Sequence, residues 1–317
     1  MDKLLITHNV KICMLIVYAI MLSLTVGINI AGFINKNADF SNFKQRIKSF
    51  WVIVILFTLA FAWNKIVAFL FLAFISYLAL KEYLSLISTR RADRRVLLWA
   101  YLSIPIQLYF VYTNWLVMFY LFVPLYMFLL IPMRMVMIGD TEGFLKACGT
   151  IHWGLMTTVY ALGYLMMYLA LPVAKLPAGG GVGLLLFILF VTVFNDFAQY
   201  VWGKSLGKTK IIPKVSPNKT WEGFIGGVIT TTVLATLLAP YLTPLTFKQS
   251  IFAGFALAIA GFMGDVIMSA IKRDIGVKDS GNLLPGHGGI LDRLDSLIFT
   301  APLFFHYVVY LHFQGLL

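Results

Sequence analysis

The chain has 317 residues and a formal net charge of +12, yet 60% of its residues are hydrophobic and only 12% are charged. A soluble domain of this length could not cover so much apolar surface. The short alternating strands that mark a membrane β-barrel do not occur in the sequence. The composition therefore excludes a soluble enzyme and predicts an all-α, polytopic membrane protein.

Apolar runs of about bilayer-spanning length recur along the whole chain. We predict ten membrane spans, at about 12–34, 48–63, 66–86, 96–113, 115–132, 150–171, 182–202, 223–241, 249–271 and 294–315. The first run is too long for a signal-peptide core and lacks a small-residue cleavage site, so we interpret it as a retained helix.

The basic residues test this count of spans. Most of the 25 lysines and arginines lie in the odd-numbered loops, and only Lys65, Lys175 and Lys248 lie in the even-numbered ones. This asymmetry predicts odd loops in the cytoplasm and both termini outside, although Lys3 and Lys11 oppose an outside N-terminus. Basic residues that set the membrane topology explain the net positive charge of the chain, so nucleic acid is not an expected partner. Membrane lipids are an expected partner, and the expected location is a bacterial inner membrane.

The chain divides by composition near residue 180. Residues 1–180 hold bulky apolar spans, which we interpret as support for lipid binding or a homodimer. Residues 181–317 hold seven of the thirteen acids and are predicted to be the catalytic part, with its site at the cytoplasmic face. An ion-coupled transporter is the rival hypothesis, and the lack of an internal repeat disfavours it.

The densest charge lies in residues 269–295, where four acids, four bases, one histidine and five glycines fall within 27 residues. Such charge beside a bilayer is costly and predicts a functional site. The candidates are Ser269, Lys272, Arg273, Lys278, Asp279, His287, Asp292, Arg293 and Asp295. His287 suits a general base, and a backbone-bonded turn histidine is an equal alternative.

Three acids stand near the ends of predicted spans, namely Asp196, Asp265 and Asp292. Asp265 shares a helical face with Ser269 and Lys272 through its spacing. Carboxylate oxygens from three helix ends suit Mg²⁺, which commonly takes one or two carboxylates and substrate phosphate oxygens. Structural ion pairs are the alternative explanation of this cluster.

The seventh loop carries five lysines before the eighth span. Its glycines resemble a P-loop, but the spacing is one residue short and no β-strand precedes them, so we reject that motif. Ser216 or Thr220 can cap the next helix, and Glu222 suits its first turn. With Lys219, this helix N-terminus predicts a triphosphate-binding site.

These motifs resemble the phosphatidate cytidylyltransferase (CDP-diacylglycerol synthase) family. The resemblance rests on the S-x-apolar-K-R signature from Ser269, on its H-G-G-apolar-x-D-R-apolar-D ending and on the S-P-x-K-T-x-E-G segment at 216–223, and it covers about residues 181–300. It implies that CTP and phosphatidate react to give CDP-diacylglycerol and pyrophosphate, with Mg²⁺ as cofactor. Whether a second, monovalent cation joins the Mg²⁺ is left open.

The resemblance also implies roles for these residues. Asp265 and Asp292 would bind the metal, with Asp196 as a third acid near the metal or the nucleotide. The implied nucleotide-binding residues are Asp196, Ser216, Lys219, Thr220, Glu222, Ser269 and Lys278. The implied catalytic residues are Lys272, Arg273, Asp279, His287, Arg293 and Asp295.

One segment departs from the family pattern. The family has N-D-small-small-A-Y where this chain reads Asn195-Asp196-Phe197-Ala198-Gln199-Tyr200. Phe197 and Gln199 replace small residues, which leaves the exact lipid open. The remaining alternatives are transfer to another lipid phosphate, a CTP-dependent lipid kinase and an inactive paralogue that binds a lipid or a partner.

Overall fold

The computed structural model describes residues 6–35, 40–87, 94–171, 179–281 and 288–316. Within these ranges, ten helices are long and apolar enough to cross a membrane, which confirms the predicted fold class and number of spans. They are α1 (His8–Ile34), α2 (Ser41–Trp63), α3 (Lys65–Leu86), α4 (Arg94–Tyr112), α5 (Leu116–Val136), α6 (Phe144–Ala170), α7 (Gly180–Leu206), α8 (Trp221–Leu242), α9 (Phe247–Asp274) and α10 (Leu291–Phe313).

Several helices continue past the predicted apolar runs. α2 begins at Ser41 and not near 48, α6 begins at Phe144 and not near 150, and α10 begins at Leu291 and not near 294. Outside the hydrocarbon core a helix needs no apolar residues, and lysine and arginine side chains can reach the membrane surface. The longer α10 places Asp292 in its first turn.

The last four helices form one packed group. α7 packs on α8, α8 on α9 and α9 on α10, while α3 and α6 contact α10 from the other half of the chain. Buried hydrogen bonds join the halves: the Tyr168 hydroxyl donates to the Ala301 carbonyl at 2.6 Å. The hydrophobic core is therefore shared between residues before and after 180, and the functional division at that point stays a prediction.

Asn195 fixes the crossing of α7, α8 and α9. Its Nδ2 donates to the Ala258 carbonyl at 3.1 Å, and its Oδ1 accepts from the Thr231 hydroxyl at 3.2 Å. The side chain is fully buried. Because a buried amide is costly unless it is hydrogen-bonded, these two bonds hold the position of the neighbouring Asp196.

A short antiparallel hairpin separates α7 from α8. It consists of β1 (Lys210–Ile212) and β2 (Ser216–Thr220). Thr220, one of the two candidate caps, is the N-cap of α8 and accepts from the Gly223 amide at 3.2 Å. Glu222 lies in the first helical turn and accepts from the backbone amides of Lys208 and Thr209. These hydrogen bonds therefore hold the hairpin region against the N-terminus of α8.

Gly264 allows α9 to approach α10 beside the predicted acids. A Cβ atom at this position would lie 2.7 Å from the Asp295 carbonyl oxygen and 3.1 Å from the Ser296 Cα. We expect Gly264→Ala to force the helices apart and to lower stability by about 2 kcal/mol. Thermal unfolding in detergent measures this. Gly149→Ala is the matched control, since nothing lies within 4 Å of its added Cβ, and an equal loss there would contradict the packing argument.

Candidate active site

The ends of α7, α9 and α10 meet strand β2 at one end of the helix bundle. Three of these elements carry predicted carboxylates, and β2 carries a predicted lysine. The side chains brought together there are Asp196, Lys219, Asp265, Lys272, Asp292 and Asp295.

Lys219 links the hairpin to α9. Its ammonium lies 2.5 Å from Asp265 Oδ2 and donates to Gln199 Oε1 at 3.2 Å. The same ammonium lies 5.4 Å from the centre of the Phe262 ring. Asp265 also accepts from the Ser269 hydroxyl at 3.3 Å, as the predicted shared helical face requires. Lys219 is thus a cation fixed at a half-buried position.

Asp292 joins the described parts of the ninth loop to the start of α10 through hydrogen bonds. Its Oδ1 accepts from the Lys272 ammonium at 2.7 Å. Its Oδ2 accepts from the backbone amides of Ser280 at 2.8 Å and Gly289 at 3.0 Å. The preceding Gly288 has φ +81°, which favours glycine. A carboxylate in the first turn also stabilises the helix N-terminus.

Glu82 of α3 also binds the start of α10, and it is not among the candidate site residues predicted from the sequence. Its carboxylate accepts from the Ile290 amide at 2.9 Å, from the Leu291 amide at 3.0 Å and from the Ser280 hydroxyl. A Cβ atom at Gly289 would collide with this carboxylate. The sequence marks Glu82 only as an acid beside Lys81 near the end of a predicted span, and it does not indicate the partners of Glu82 in α10.

Asp196 and Asp295 form the deeper side of the site. The Ser296 hydroxyl lies 3.1 and 3.2 Å from the two carboxylate oxygens of Asp196, and the Ser296 amide donates to Asp295 Oδ1 at 2.7 Å. Asp295 is buried. Asp196, Asp265 and Asp295 lie close enough for their negative charges to repel one another.

The donor chemistry permits Mg²⁺ but does not form a closed protein site. In the part of the chain that the structure describes, no three histidine, cysteine, aspartate or glutamate side chains form a metal-binding group. Asp265 and Asp292 each contact a lysine, and Asp196 contacts a serine. Since Mg²⁺ commonly takes only one or two carboxylates and fills its remaining positions with water and phosphate oxygens, these residues fit it. The metal-ligand assignment stays a prediction.

The other predicted residues lie on the same elements or on the ninth loop. Arg273 ties α9 to the hairpin by donating to the Val215 carbonyl at 3.4 Å, and it donates to Val277 at 3.2 Å. Four more predicted residues lie on the hairpin, in the ninth loop and at the start of α10: Ser216 is half-buried, and Lys278, Asp279 and Arg293 are exposed. His287 lies outside the described residues.

The two departures from the family pattern face different surroundings. Phe197 is 60% exposed on the surface of α7. Gln199 is only 4% exposed and contacts Lys219. Only Gln199 therefore changes the polar interior of the site.

The chain is similar to known sequences over most of its length. A model of the cytidylyltransferase family matches residues 44–311. This chain belongs to the cytidylyltransferase family. It is therefore an enzyme of the nucleotidyltransferase class, and the ten apolar helices among its described residues make it an integral membrane protein.

Individual relatives match over different lengths. The chain is 49% identical over 265 residues to the uncharacterized protein YnbB of Escherichia coli K12, covering 84% of this chain and 87% of that protein. It is 50% identical over 110 residues to the phosphatidate cytidylyltransferase of Bacillus subtilis 168, covering 34% and 40%. The corresponding Mycobacterium leprae enzyme is 34% identical over 144 residues, covering 45% and 46%. The matches span less than half of both named cytidylyltransferases.

Proposed function

We propose that this cytidylyltransferase transfers CMP from CTP to phosphatidate at the cytoplasmic face of a bacterial inner membrane, releasing pyrophosphate and forming CDP-diacylglycerol. The observation that carries the proposal is the pairing of Lys219 with Asp265 and of Lys272 with Asp292 at one end of the bundle. Two fixed ammonium groups beside a helix N-terminus suit a triphosphate. The named relatives support phosphatidate as the second substrate.

The chemistry needs no protein nucleophile. The phosphate monoester of phosphatidate is already an anion near neutral pH, and one of its oxygens attacks the α-phosphorus of CTP. A P–O bond forms there as the bond to the β-phosphate oxygen breaks, and pyrophosphate leaves with that electron pair. The protein has to bring two polyanions together and to stabilise the charge of the in-line transition state.

The lysines are placed for that task. Lys219 and Lys272 are each held at the site by a carboxylate. An arriving triphosphate offers oxygens that replace these contacts without moving the lysine backbones. Charge stabilisation by groups that are already positioned costs little reorganisation during the reaction.

Mg²⁺, when bound, would neutralise phosphate charge and polarise the α-phosphate. Asp265 would hold it with Asp196 or Asp292, since these supply hard oxygens to the same end of the bundle. A homodimer and a monovalent cation stay predictions.

The test is pyrophosphate release by the purified protein. We expect turnover with CTP, Mg²⁺ and phosphatidate in mixed micelles, and slower or no turnover with other lipid phosphates in the same panel. Release of CDP in place of pyrophosphate would identify a CTP-dependent lipid kinase. Bound CTP with no turnover on any lipid would indicate a binding paralogue, and solute flux in vesicles without CTP turnover would indicate a transporter.

A further inference from the structure

Gln199 is a buried amide with only one polar partner. Its Oε1 accepts from the Lys219 ammonium at 3.2 Å, and it is 4% exposed. Its Nε2 donates to no acceptor in the described ranges of the chain. The orientation of the amide follows from Lys219, because an ammonium donates only and must face the oxygen.

Packing alone does not account for an amide here. The side chain lies against α8, where a Cβ atom added at Gly227 would collide with the Gln199 Cγ. A methionine would fill nearly the same volume and would not bury an unpaired donor. What the amide contributes in this structure is the bond to Lys219.

The two acceptors of Lys219 differ in charge. Asp265 is an anion that a metal can draw away from the lysine, whereas Gln199 is neutral and fixed between α7 and α8. A neutral acceptor holds the ammonium in place and leaves its positive charge for a ligand.

We propose that Gln199 is a positioning residue that holds Lys219 toward the triphosphate of CTP. This inference rests on the proposed function and deepens it. The hydrogen bond to Gln199 keeps Lys219 in the site when Asp265 leaves the lysine to bind a metal. Gln199 acts through Lys219 and does not itself contact the reacting atoms.

The test compares three variants by steady-state kinetics of pyrophosphate release and by thermal unfolding in detergent. Gln199→Met removes the acceptor and should raise the KM for CTP roughly tenfold, with kcat lowered much less. Gln199→Glu holds Lys219 by an ion pair but cancels its charge, so its KM for CTP should rise further while its stability is retained. The KM for the lipid should change little in both.

Gln107→Met is the matched control. Gln107 is a fully buried glutamine of α4 whose Nε2 donates to the Phe119 carbonyl at 3.1 Å and whose Oε1 has no partner within the described ranges. Its replacement should lower stability and leave the KM for CTP unchanged.

Three results would overturn the inference while pyrophosphate release by the wild type still stands. These are an unchanged KM for CTP in a folded Gln199→Met protein, a wild-type KM in Gln199→Glu, and an equal rise in Gln107→Met. If Gln199→Met does not fold, Gln199→Glu carries the test, since it retains every hydrogen-bonding oxygen that faces Lys219. A wild type that neither binds CTP nor releases pyrophosphate would instead overturn the proposed function, and this inference with it.

Discussion

Asp265→Asn should lower kcat for pyrophosphate release by on the order of 100-fold or more, while the protein still folds. The substitution removes the charge that holds Lys219 at 2.5 Å and a hard oxygen ligand for a cation. It retains an oxygen that can accept from the Ser269 hydroxyl, which lies 3.3 Å away. The helix should therefore remain intact, and the loss should fall on catalysis.

Asp274→Asn is the control for this experiment. Asp274 ends the same helix and is exposed, so its replacement removes one negative charge from α9 outside the site. We expect wild-type kcat for it. Kinetics over a range of Mg²⁺ concentrations would separate the roles of Asp265, because loss of a metal ligand raises the Mg²⁺ concentration needed for half-maximal rate. Full activity in a folded Asp265→Asn protein would exclude Asp265 from the site.

Glu82→Gln should destabilise the protein by about 3 kcal/mol, since a neutral amide replaces the acceptor of three donors. The Ile290 and Leu291 amides and the Ser280 hydroxyl all face this carboxylate. The NH₂ group of a glutamine would point at one of these donors. Because Asp292 follows immediately in α10, we also expect kcat to fall roughly tenfold through misplacement.

Glu82→Asp serves as the partial rescue. It keeps the charge at the N-terminus of α10 but shortens the side chain by one methylene, so its stability and kcat should lie between those of the wild type and Glu82→Gln. Thermal unfolding and pyrophosphate release, measured on the same preparations, give both quantities. A Glu82→Gln protein with wild-type melting and kcat would show that the contacts from α3 do not support the site.

The fold and much of the site could be predicted from the sequence for a physical reason. Hydrocarbon excludes charge, so the apolar runs show the spans, and the acids that remain near span ends mark the site. Asp196, Asp265 and Asp292 were predicted in this way. Local chemistry predicts a cap at Ser216 or Thr220 without knowledge of the tertiary structure, and the structure identifies Thr220 as the N-cap.

The other contacts of the site cannot be predicted from the sequence, because they depend on the tertiary structure. No local spacing relates Glu82 to the backbone amides that it accepts from in α10. In the sequence Gln199 is only a departure from a family pattern, and its contact with Lys219 depends on how α7 crosses α8. The pairing of Asp292 with two loop amides likewise depends on how the ninth loop folds back.

The contact between Glu82 and the start of α10 also has a consequence for biogenesis. Glu82 and Ile290 are separated by 208 positions in the chain. A nascent chain therefore inserts α3 long before its partner has been synthesised, and the Glu82 carboxylate must remain hydrated at the membrane surface until then. The site can be completed only after the final helix has entered the membrane, so a ribosome-bound intermediate that ends before α10 should be inserted but catalytically silent.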